Sequence, residues 1–575
     1  MNILGINGLG VLPSACLVID GKLIAFAEEE RFTRYKGSFG VMPAKAVKFC
    51  LDYAGLSLKD IDYVSFGWDS NKYKFYMPFF LILKYFTRSP KFQKSSNLIS
   101  FVNELIKYHP QNVKSKIFEM FKDAGIEGNI PPIKFISHHL SHAASAYYLS
   151  GYSDSYILII DGSGEDNCTS IYKASQKEIK LYKSIKVPDS LGWFYQSFTE
   201  FLGFSPNNHE GKLMGLAAYG KENLEIKSKI DSIINTDLLG NYKYKARFSF
   251  LGEHTQGKVY SEELVSLFGK PRLKDEEISD YHRDLAYACQ AKLEEIALTI
   301  VRNLIKNKDF IGNLCIAGGV GLNCKMNGAI AELSEIKNLY IPSIPSDAGT
   351  SIGSALVLAN KMGAIPNQKI EHAYWGTEYS NEYIENLLIK FRLKYKKTDT
   401  LEIDVAHLLM ENKVIGWFQG RMESGSRALG ARSILANPLK KEMQDIINKK
   451  VKNREKWRPF AASILFEEKE NFVFSSIESP FMAIAFKVKP EIIEKIPSAI
   501  HIDNTTRPQF VKKSVNEKYW KLIYEFGKLS GVSAILNTSF NTNEEPIVEN
   551  PEQAIKAFFG SGMDCLAIGC FLLEK

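Results

Sequence analysis

The chain has 575 residues, of which 45% are hydrophobic and 24% are charged. These fractions are typical of a soluble globular protein, and the length exceeds one ordinary hydrophobic core, so we expect two or more domains. The formal net charge of +7 is small for this length, and basic residues are interleaved with acidic ones. A basic cleft for phosphate-bearing ligands is therefore favoured over a nucleic-acid surface, and we expect no nucleic-acid partner.

The cysteines and the first residues indicate the compartment. The 8 cysteines are scattered without a CxxC pair, which argues against a zinc ribbon or a disulfide framework and fits reduced cytosolic thiols. We expect no signal peptide, because Met1 and Asn2 lead directly into strand-like residues 3–6. The most apolar helix-like run, residues 75–86, is too short to span a bilayer and is expected to pack in a core or an interface. We therefore expect a cytoplasmic protein with no membrane partner.

The first segment, to about residue 66, has the pattern of a strand, a hairpin, a helix and a strand. Asp20-Gly21 lies between two apolar runs, at 15–19 and 23–27, and this dipeptide is typical of a hairpin turn. Residues from about 70 to 130 are helical in pattern and rich in Lys, Phe and Tyr. We interpret them as an insertion that caps a site or contacts a partner.

A pair of histidines, His138 and His142, follows this insertion at positions i and i+4. On a helix, which the neighbouring alanines favour, both imidazoles lie on one face and can share a metal ion. Residues 156–160 then read as a buried strand with Asp161 at its carboxyl end, next to a glycine turn, where an α/β sheet presents ligand-binding groups. These features suggest a metal held beside a phosphate. The alternative is an ordinary helix with one surface and one core histidine.

Three further motifs follow in the first half of the chain. Strand patterns at 157–161, 168–172 and 179–185 repeat the opening meander and indicate a duplicated α/β core. Residues 210–220 place Lys212 among small residues, which suits a backbone pressed against a ligand, or equally a tightly packed helix with an exposed lysine. A long amphipathic helix at 281–308 leads through a strand to a glycine-rich turn at 317–323. Asp347, after the next strand, is either a fourth metal ligand or a helix cap.

A boundary is expected near residues 362–380, followed by a second domain. Its residues 420–433 combine arginines with glycines and serines, and Lys452, Arg454, Arg458, Arg507 and residues 537–541 follow. Guanidinium groups beside backbone amides and hydroxyls suit phosphate or a mixed anhydride. We favour an anion site here over a solvated charged face.

With these motifs in this order, the chain resembles the NodU/CmcH family of bacterial O-carbamoyltransferases, which act on antibiotic and sugar hydroxyls. The resemblance runs nearly from end to end. The motifs that carry it are the HxxxH pair and residues 27–32, 161–165, 210–220, 317–323, 421–438, 458–460 and 537–546.

The resemblance implies an α/β fold with two domains. The first, 1–370, would be a duplicated actin-like (ASKHA) ATPase-superfamily domain, and the second, 371–575, a YrdC-like α/β domain. The second domain would join carbamoyl phosphate and ATP into carbamoyl-adenylate. The first would pass the carbamoyl group to a hydroxyl of a small-molecule or sugar acceptor and release AMP.

The resemblance also implies site residues. His138, His142, Asp161 and Asp347 would hold a metal, by resemblance iron(II), although these ligands also suit Mn or Zn. Mg²⁺ is a further candidate cofactor. The expected nucleotide or adenylate contacts of the first domain are Lys36, Gly162, Gly192, Lys212, Gly319 and Val320. The expected carbamoyl-phosphate and ATP contacts of the second are Arg427, Arg458, Arg507, Asn537 and Ser539.

Two departures from the family pattern bear on function. The family carries a His-Asp pair where this chain has Val11-Leu12, and that histidine is the expected base for the acceptor hydroxyl. His209 is our candidate substitute. Glu544 stands where the family usually has glycine.

Other functions stay open at this point. One is a tRNA threonylcarbamoylation-type enzyme, which the mild charge disfavours. Another is an adenylate-binding protein whose transfer step is lost or altered, as Val11-Leu12 would allow. A hydrogenase-maturation carbamoyltransferase is disfavoured because its CxxC repeats are absent from the sequence. The sequence identifies neither the acceptor nor the oligomeric state, for which a homodimer is one candidate.

Overall fold

A computed structural model describes residues 1–88, 102–249, 259–366, 368–542 and 544–575. The chain divides into two units, and both are mixed α/β. The first comprises Met1–Glu29 and Gly37–Lys369, and the second comprises Glu30–Lys36 and Ile370–Lys575. The second unit therefore includes a short segment from the N-terminal part of the chain.

The first sheet of unit one has the strand order β3-β2-β1-β4-β5. β1, β2 and β3 form an antiparallel meander, and β4 and β5 continue from β1 in parallel. Asp20 and Gly21 both have positive φ, at 49° and 77°, which is the backbone of a two-residue hairpin turn and confirms the predicted hairpin. The strands are Asn2–Asn7 (β1), Ser14–Ile19 (β2), Lys22–Glu28 (β3), Tyr63–Phe66 (β4) and Ile133–Phe135 (β5).

The second sheet repeats this arrangement with the order β8-β7-β6-β11-β12. β6, β7 and β8 form an antiparallel meander, and β11 and β12 continue from β6 in parallel. Strand order and strand directions thus match the first sheet, which confirms the predicted duplication. The strands are Asp154–Gly164 (β6), Asn167–Ser175 (β7), Glu178–Lys186 (β8), Asn313–Ala317 (β11) and Asn338–Tyr340 (β12), and a separate hairpin pairs Ile234–Thr236 (β9) with Tyr242–Tyr244 (β10).

Helices cover both sheets of unit one. They are Ala44–Ala54 (α1), Tyr76–Arg88 (α2), Pro110–Asp123 (α3), His138–Ser150 (α4), Leu191–Phe201 (α5), Glu210–Ala217 (α6), Leu224–Ile233 (α7), Glu262–Phe268 (α8), Asp280–Ile305 (α9), Cys324–Ala331 (α10) and Gly349–Lys361 (α11). α4 packs on β6 and β11, α11 packs on β1, β2 and β4, and the two helices pack against each other. Across the part of the chain that is described, no helix combines the length and apolarity needed to cross a membrane.

The contact between α4 and α11 depends on a glycine. A Cβ atom added at Gly353 would lie 1.7 Å from the carbonyl oxygen of Ser141, which is closer than any nonbonded contact. Because α4 rests on one sheet and α11 on the other, this close approach sets the distance between the two duplicated halves.

Unit two is built on a mixed sheet with the order β13-β22-β21-β14-β15-β20-β16-β19. α12 and α15 bury apolar side chains on one face, and α13 and α14 do so on the other. The strands are Lys396–Lys397 (β13), Ile415–Phe418 (β14), Arg432–Ala436 (β15), Ala461–Leu465 (β16), Gln509–Val511 (β19), Ala534–Ser539 (β20), Cys565–Ile568 (β21) and Phe571–Glu574 (β22), with a small pair of Phe486–Lys487 (β17) and Thr505–Thr506 (β18). The α-helices longer than four residues are Asn381–Lys390 (α12), Leu401–Met410 (α13), Glu517–Ser530 (α14) and Pro551–Phe559 (α15).

The N-terminal segment of unit two is anchored by arginines. Arg31 is buried and donates to the carbonyl of Gly425 at 2.6 Å. Arg34 donates to the carbonyls of Ile547 at 2.6 Å and Pro546 at 2.7 Å. Charge-assisted bonds to backbone carbonyls are stronger than neutral ones, so this segment is an integral part of the unit.

Candidate functional site

Helix α4 places the two predicted imidazoles side by side. His138 and His142 are fully buried, and their Nε2 atoms are 3.1 Å apart. The i, i+4 spacing on one helical face explains the contact. The predicted helix is confirmed over His138–Ser150.

Asp161 and Asp347 complete the group, which we call the His-Asp cluster. The Oδ2 atom of Asp161 is 3.3 Å from Nε2 of His138 and 3.1 Å from Nε2 of His142. The Oδ1 atom of Asp347 is 3.6 Å from both nitrogens. One ligand atom from each of the four residues lies within 4.8 Å of the others. Helix α11 follows Ala348 and has no side-chain cap, so Asp347 does not act as its cap.

The charges of the His-Asp cluster favour a cation at its centre. Burial alone would lower the pKa of His138, but the carboxylates of Asp347 and Asp161 outweigh it and raise that pKa well above its usual value. Burial alone would raise the pKa of Asp161, but hydrogen bonds from both imidazoles hold it well below its usual value. Two carboxylates and two facing imidazole nitrogens suit a divalent transition metal, whose binding would displace the shared proton. That these residues hold a metal stays a prediction.

Glycine turns fix the orientation of Asp161. Its Oδ1 atom accepts the backbone N–H groups of Gly162 at 2.8 Å and Gly319 at 3.3 Å, which leaves Oδ2 facing the imidazoles. Gly192, at the start of α5, passes so close that an added Cβ would lie 2.6 Å from the carbonyl oxygen of Asp161. Val320 lies in the helical turn that Gly319 begins. The structure thus groups these predicted nucleotide contacts around Asp161, and their contact with a nucleotide stays a prediction.

Glu165 supports the cluster, a role that the sequence analysis did not assign. Its side chain is fully buried, and its carboxylate accepts the backbone N–H groups of Asp69 at 2.7 Å and His138 at 2.9 Å. It also accepts bonds from Ser137 Oγ at 3.2 Å and Lys72 Nζ at 3.4 Å. An acceptor at the N-terminus of α4 satisfies a donor that the helix itself leaves open and favours the helix dipole. Glu165 therefore fixes where α4, the helix of His138 and His142, begins.

Aromatic rings lie against the His-Asp cluster. Trp68 contacts the ring of His138 edge-on at 4.8 Å between centroids, and Tyr108 stacks on Trp68 at 4.4 Å. A Cβ added at Gly10 would lie 3.2 Å from the hydroxyl of Tyr108, so the loop of residues 8–12 adjoins this pair. The two rings form an apolar wall beside the cluster.

The loop at Val11-Leu12, where the resemblance leads us to expect a His-Asp pair, is held by Asn7. The side-chain amide of Asn7 donates to the carbonyls of Val11 at 3.1 Å and Leu12 at 3.0 Å. Leu12 has a φ of 51°, in the left-handed region that branched side chains rarely adopt. The side-chain amide of Asn7 thus holds the backbone of this loop.

His209 and Lys212 lie at helix α6. His209 precedes the helix, and its Nδ1 accepts the N–H of Ser205 at 3.2 Å. In the neutral form the other ring nitrogen then carries the proton, so His209 would have to release this bond to act as a base. Lys212 lies over the ring of Phe204 at 5.8 Å. The catalytic role of His209 and the ligand contact of Lys212 stay predictions.

Unit two contains a group of basic side chains, which we call the cationic cluster: Lys452, Arg454, Arg458, Arg507 and Lys36. Burial lowers the pKa of Lys452 well below its usual value, and the charges of Arg454, Arg458 and Lys36 lower it further. Burial, together with Arg458, lowers the pKa of Arg454 to about 9, and Arg507 acts in the same direction. The nearby acid is Glu455, 3.9 Å from Arg458. Because these cations repel one another, a bound anion would stabilise the cluster, and the anion site stays a prediction.

Lys36 was expected to be a nucleotide contact of the first domain, and this placement is wrong, because Lys36 belongs to unit two, with the cationic cluster. Lys452 also donates to the carbonyl of Asn541 at 3.0 Å and to its side-chain oxygen at 2.6 Å. These bonds hold the ammonium group against the end of β20. The contact of Lys36 with a nucleotide stays a prediction.

Asn537 and Ser539 lie on β20 near the cationic cluster. Asn537 is buried and donates to the carbonyl of Ala428, the residue after Arg427, at 3.1 Å. The hydroxyl of Ser539 accepts from Lys452 at 3.3 Å. The structure thus places Ser539 beside Lys452 of the cationic cluster, with Asn537 two residues earlier on β20. That Arg427, Arg458, Arg507, Asn537 and Ser539 contact carbamoyl phosphate or ATP stays a prediction.

Glu544, at a position where the resemblance leads us to expect glycine, follows Asn541 along the chain. Its φ is 63°, in the left-handed region that favours glycine. The backbone at Glu544 therefore fits the glycine that the resemblance implies.

In the comparison with known proteins, both units match models of one protein family. A family model described as carbamoyltransferase N-terminus matches residues 2–356, and one described as carbamoyltransferase C-terminus matches residues 406–575. The chain is 32% identical over 572 residues to nodulation protein NolNO of Sinorhizobium fredii, which covers 98% of this chain and 78% of that protein. It is also 32% identical over 449 residues to nodulation protein NolO of Bradyrhizobium diazoefficiens, and this match covers 76% of this chain and 79% of that protein. A HypF structure from T. kodakarensis aligns at 13% identity with a TM-score of 0.31, over 63% of this chain and 48% of that one.

Proposed function

Because the chain belongs to the carbamoyltransferase family, we propose that it transfers a carbamoyl group from carbamoyl phosphate to a hydroxyl of a small-molecule or sugar acceptor, through carbamoyl-adenylate made from ATP. Carbamoyl transfer itself follows from the family, whose two models together match most of the chain. The ATP dependence, the intermediate and the acceptor class are the proposed part.

The observation that carries the proposal is the cationic cluster of unit two. Carbamoyl phosphate and the triphosphate of ATP are both polyanions, and joining them requires their charges to be held close together. Lys452, Arg454 and Arg458 are buried or half-buried cations whose pKa values are lowered by burial and by one another. Bound phosphates would relieve this repulsion, and fixed cations would stabilise the charge that develops during adenylation.

The proposed first half-reaction forms a mixed anhydride. Water cleaves carbamoyl phosphate to carbamate and phosphate. A carbamate oxygen then attacks the α-phosphorus of ATP, the bond to the β-phosphate oxygen breaks, and pyrophosphate leaves. Arg458 and Arg507 would bind the phosphate groups, and the amide of Asn537 would orient the carbamoyl group.

The proposed second half-reaction belongs to unit one. The acceptor hydroxyl attacks the carbamoyl carbon, the bond from that carbon to the AMP oxygen breaks, and the hydroxyl proton goes to a base. His138, His142, Asp161 and Asp347 would hold a divalent metal, for which iron(II) is our candidate, and the metal would act as a Lewis acid toward the adenylate phosphate. The Trp68–Tyr108 wall would exclude water from this side. His209 stays the candidate base, released from Ser205 when the acceptor binds.

The test follows the two products separately. Purified protein is given ATP, carbamoyl phosphate and Fe(II), and pyrophosphate and AMP are measured while sugars and hydroxylated metabolites are added. We expect Arg458→Ala to abolish pyrophosphate release. We expect His138→Ala to keep pyrophosphate release and to lose acceptor-dependent AMP and the carbamoylated product. Arg302→Ala and His407→Ala, at exposed helical positions, are the matched controls and should behave as the unchanged protein.

Each other outcome has a defined meaning. No pyrophosphate release from the unchanged protein would refute the adenylate intermediate. Pyrophosphate without acceptor-dependent AMP across the panel would favour an adenylate-binding protein without transfer. Turnover that requires threonine, bicarbonate and RNA would favour a threonylcarbamoylation-type enzyme.

A further inference from the structure

Arg427 is followed by a short segment of unit two whose backbone is held by side chains from elsewhere in that unit. The segment comprises residues 428–432 and ends at the first residue of β15. Arg427 is half-buried, whereas Ala428 and Leu429 next to it are buried. The anchoring of residues 428–432 therefore fixes the backbone from which the guanidinium group of Arg427 extends.

Glu423 accepts three backbone N–H groups of this segment. Its Oε1 atom accepts those of Leu429 at 2.7 Å, Arg432 at 3.1 Å and Ala431 at 3.2 Å. Glu423 and Arg432 are both fully buried, and the attraction between their charges offsets part of the cost of burying them. Because buried N–H groups need an acceptor, the course of the segment depends on this one carboxylate.

The carbonyl groups of residues 428–430 each accept a bond from a buried or half-buried side chain. The donors are Asn537 to Ala428 at 3.1 Å, Gln509 at 2.9 Å and the Tyr374 hydroxyl at 2.7 Å to Leu429, and Trp417 Nε1 to Gly430 at 3.0 Å. Gly430 has a φ of 96°, and a Cβ added there would lie 2.3 Å from the ring of Tyr519. The segment is thus held at its N–H groups and at its carbonyl groups.

We propose that Glu423 is a positioning residue, which directs Arg427 at a phosphate group of carbamoyl phosphate or ATP. This inference rests on the function proposed above and on the expected phosphate contact of Arg427. A guanidinium group binds phosphate through parallel N–H bonds, so it binds well only when it is placed correctly. Because Glu423 is fully buried, it would act through the backbone of residues 428–432 and not by touching the substrate.

The experiment measures pyrophosphate release while carbamoyl phosphate and ATP are varied in turn. In Glu423→Ala, we expect the KM of the substrate that Arg427 binds to rise about tenfold or more, because the binding group is displaced. Which KM rises tells whether the bound phosphate is that of carbamoyl phosphate or that of ATP. Glu423→Gln should restore the KM, because its amide oxygen can replace Oε1, while Oε2 accepts no bond from the described part of the chain.

A double-variant cycle tests whether Glu423 acts through Arg427. Arg427→Ala should raise the same KM, and adding Glu423→Ala to it should have little further effect, because both changes remove one contact. The matched control is Asp564→Ala, which removes a carboxylate that accepts the N–H of Val414 at 2.7 Å elsewhere in unit two. It should lower the free energy of unfolding and leave both KM values unchanged.

Three results would overturn the proposal: unchanged KM values in folded Glu423→Ala, an equal rise in the Asp564→Ala control, or effects of Glu423→Ala and Arg427→Ala that multiply. If Glu423→Ala does not fold, Tyr374→Phe loosens the same segment more mildly by removing one of the two donors to Leu429. It should raise the same KM by a smaller factor, and only while Arg427 is present, and an unchanged KM would overturn the proposal. No pyrophosphate release from the unchanged protein would instead refute the proposed function, and this inference with it.

Discussion

Replacing Glu165 tests whether the support of α4 matters for the metal that we propose the His-Asp cluster holds. In Glu165→Ala, the buried N–H groups of Asp69 and His138 lose their acceptor, and Lys72 loses one of its two partners. In Glu165→Gln, one oxygen still accepts both N–H bonds while the negative charge is lost. The two variants therefore separate the hydrogen bonds from the charge.

The size of the effect follows from the bonds removed. A buried N–H left without an acceptor costs about 1–3 kcal/mol, so two of them predict a loss of about 2–6 kcal/mol in the free energy of unfolding for Glu165→Ala. Because His138 begins the helix at this point, we also expect its imidazole to shift. Changes to groups that orient metal ligands typically weaken metal binding about 10–100-fold, and we expect a loss in that range. Glu165→Gln should recover most of both losses.

The assay titrates metal-free protein with Co(II), whose absorption reports the ligand set, and measures unfolding in urea in parallel. The control is Asn223→Ala, which removes the side-chain cap of α7, where Asn223 accepts the N–H groups of Glu225 and Ile226. Loss of that cap should cost about 1 kcal/mol without changing metal affinity. Unchanged metal affinity in folded Glu165→Ala would refute the reasoning and leave Glu165 a purely structural residue.

Two further substitutions test other parts of unit one. Gly353→Ala should lower the free energy of unfolding by about 1–3 kcal/mol or more and weaken metal binding, because its methyl group would overlap Ser141 on α4. Gly211→Ala, in a helix with open space around it, should instead stabilise by about 0.5–1 kcal/mol, and similar losses in the two proteins would contradict the overlap. Burial raises the pKa of Glu210 from 4.5 to about 7, so the unfolded chain loses this proton at lower pH than the folded protein does. The free energy of unfolding should therefore fall as the pH rises from 4.5 to 7. Glu210→Gln should remove up to about 3 kcal/mol of this decline, measured by urea unfolding across that pH range, and an unchanged slope would exclude the effect.

Local patterns were sufficient to predict much of the fold. The Asp20-Gly21 turn, the helix carrying His138 and His142, and the strand carrying Asp161 each depend on neighbouring residues, although that strand continues past Asp161 to Gly164. The duplication could be predicted because both halves repeat the same run of strands. His138, His142 and Asp161 could be proposed together because ligand-binding groups of an α/β sheet gather at the carboxyl ends of its strands, whereas Asp347 was joined to them only by the family resemblance.

Features that depend on distant partners could not be predicted. Glu165 belongs to the motif of residues 161–165, but it accepts the N–H of His138, which lies 27 positions earlier in the chain. No local sequence pattern predicts this bond. Asp347 had two interpretations, and only its distance from the imidazoles and the uncapped start of α11 separate them. The membership of Lys36 in unit two depends on contacts hundreds of residues along the chain.

The segment Glu30–Lys36 has a consequence for dividing the protein. A fragment that starts at Ile370 would lack Arg31 and Arg34, so the carbonyls of Gly425, Pro546 and Ile547 would lose their charged donors. Each lost bond of this type costs about 1.5–3 kcal/mol, a large share of the stability of a domain. Cutting the chain at this boundary therefore would not yield two complete units. Because Glu30–Lys36 lies between two stretches of unit one, no single cut in the chain separates the units.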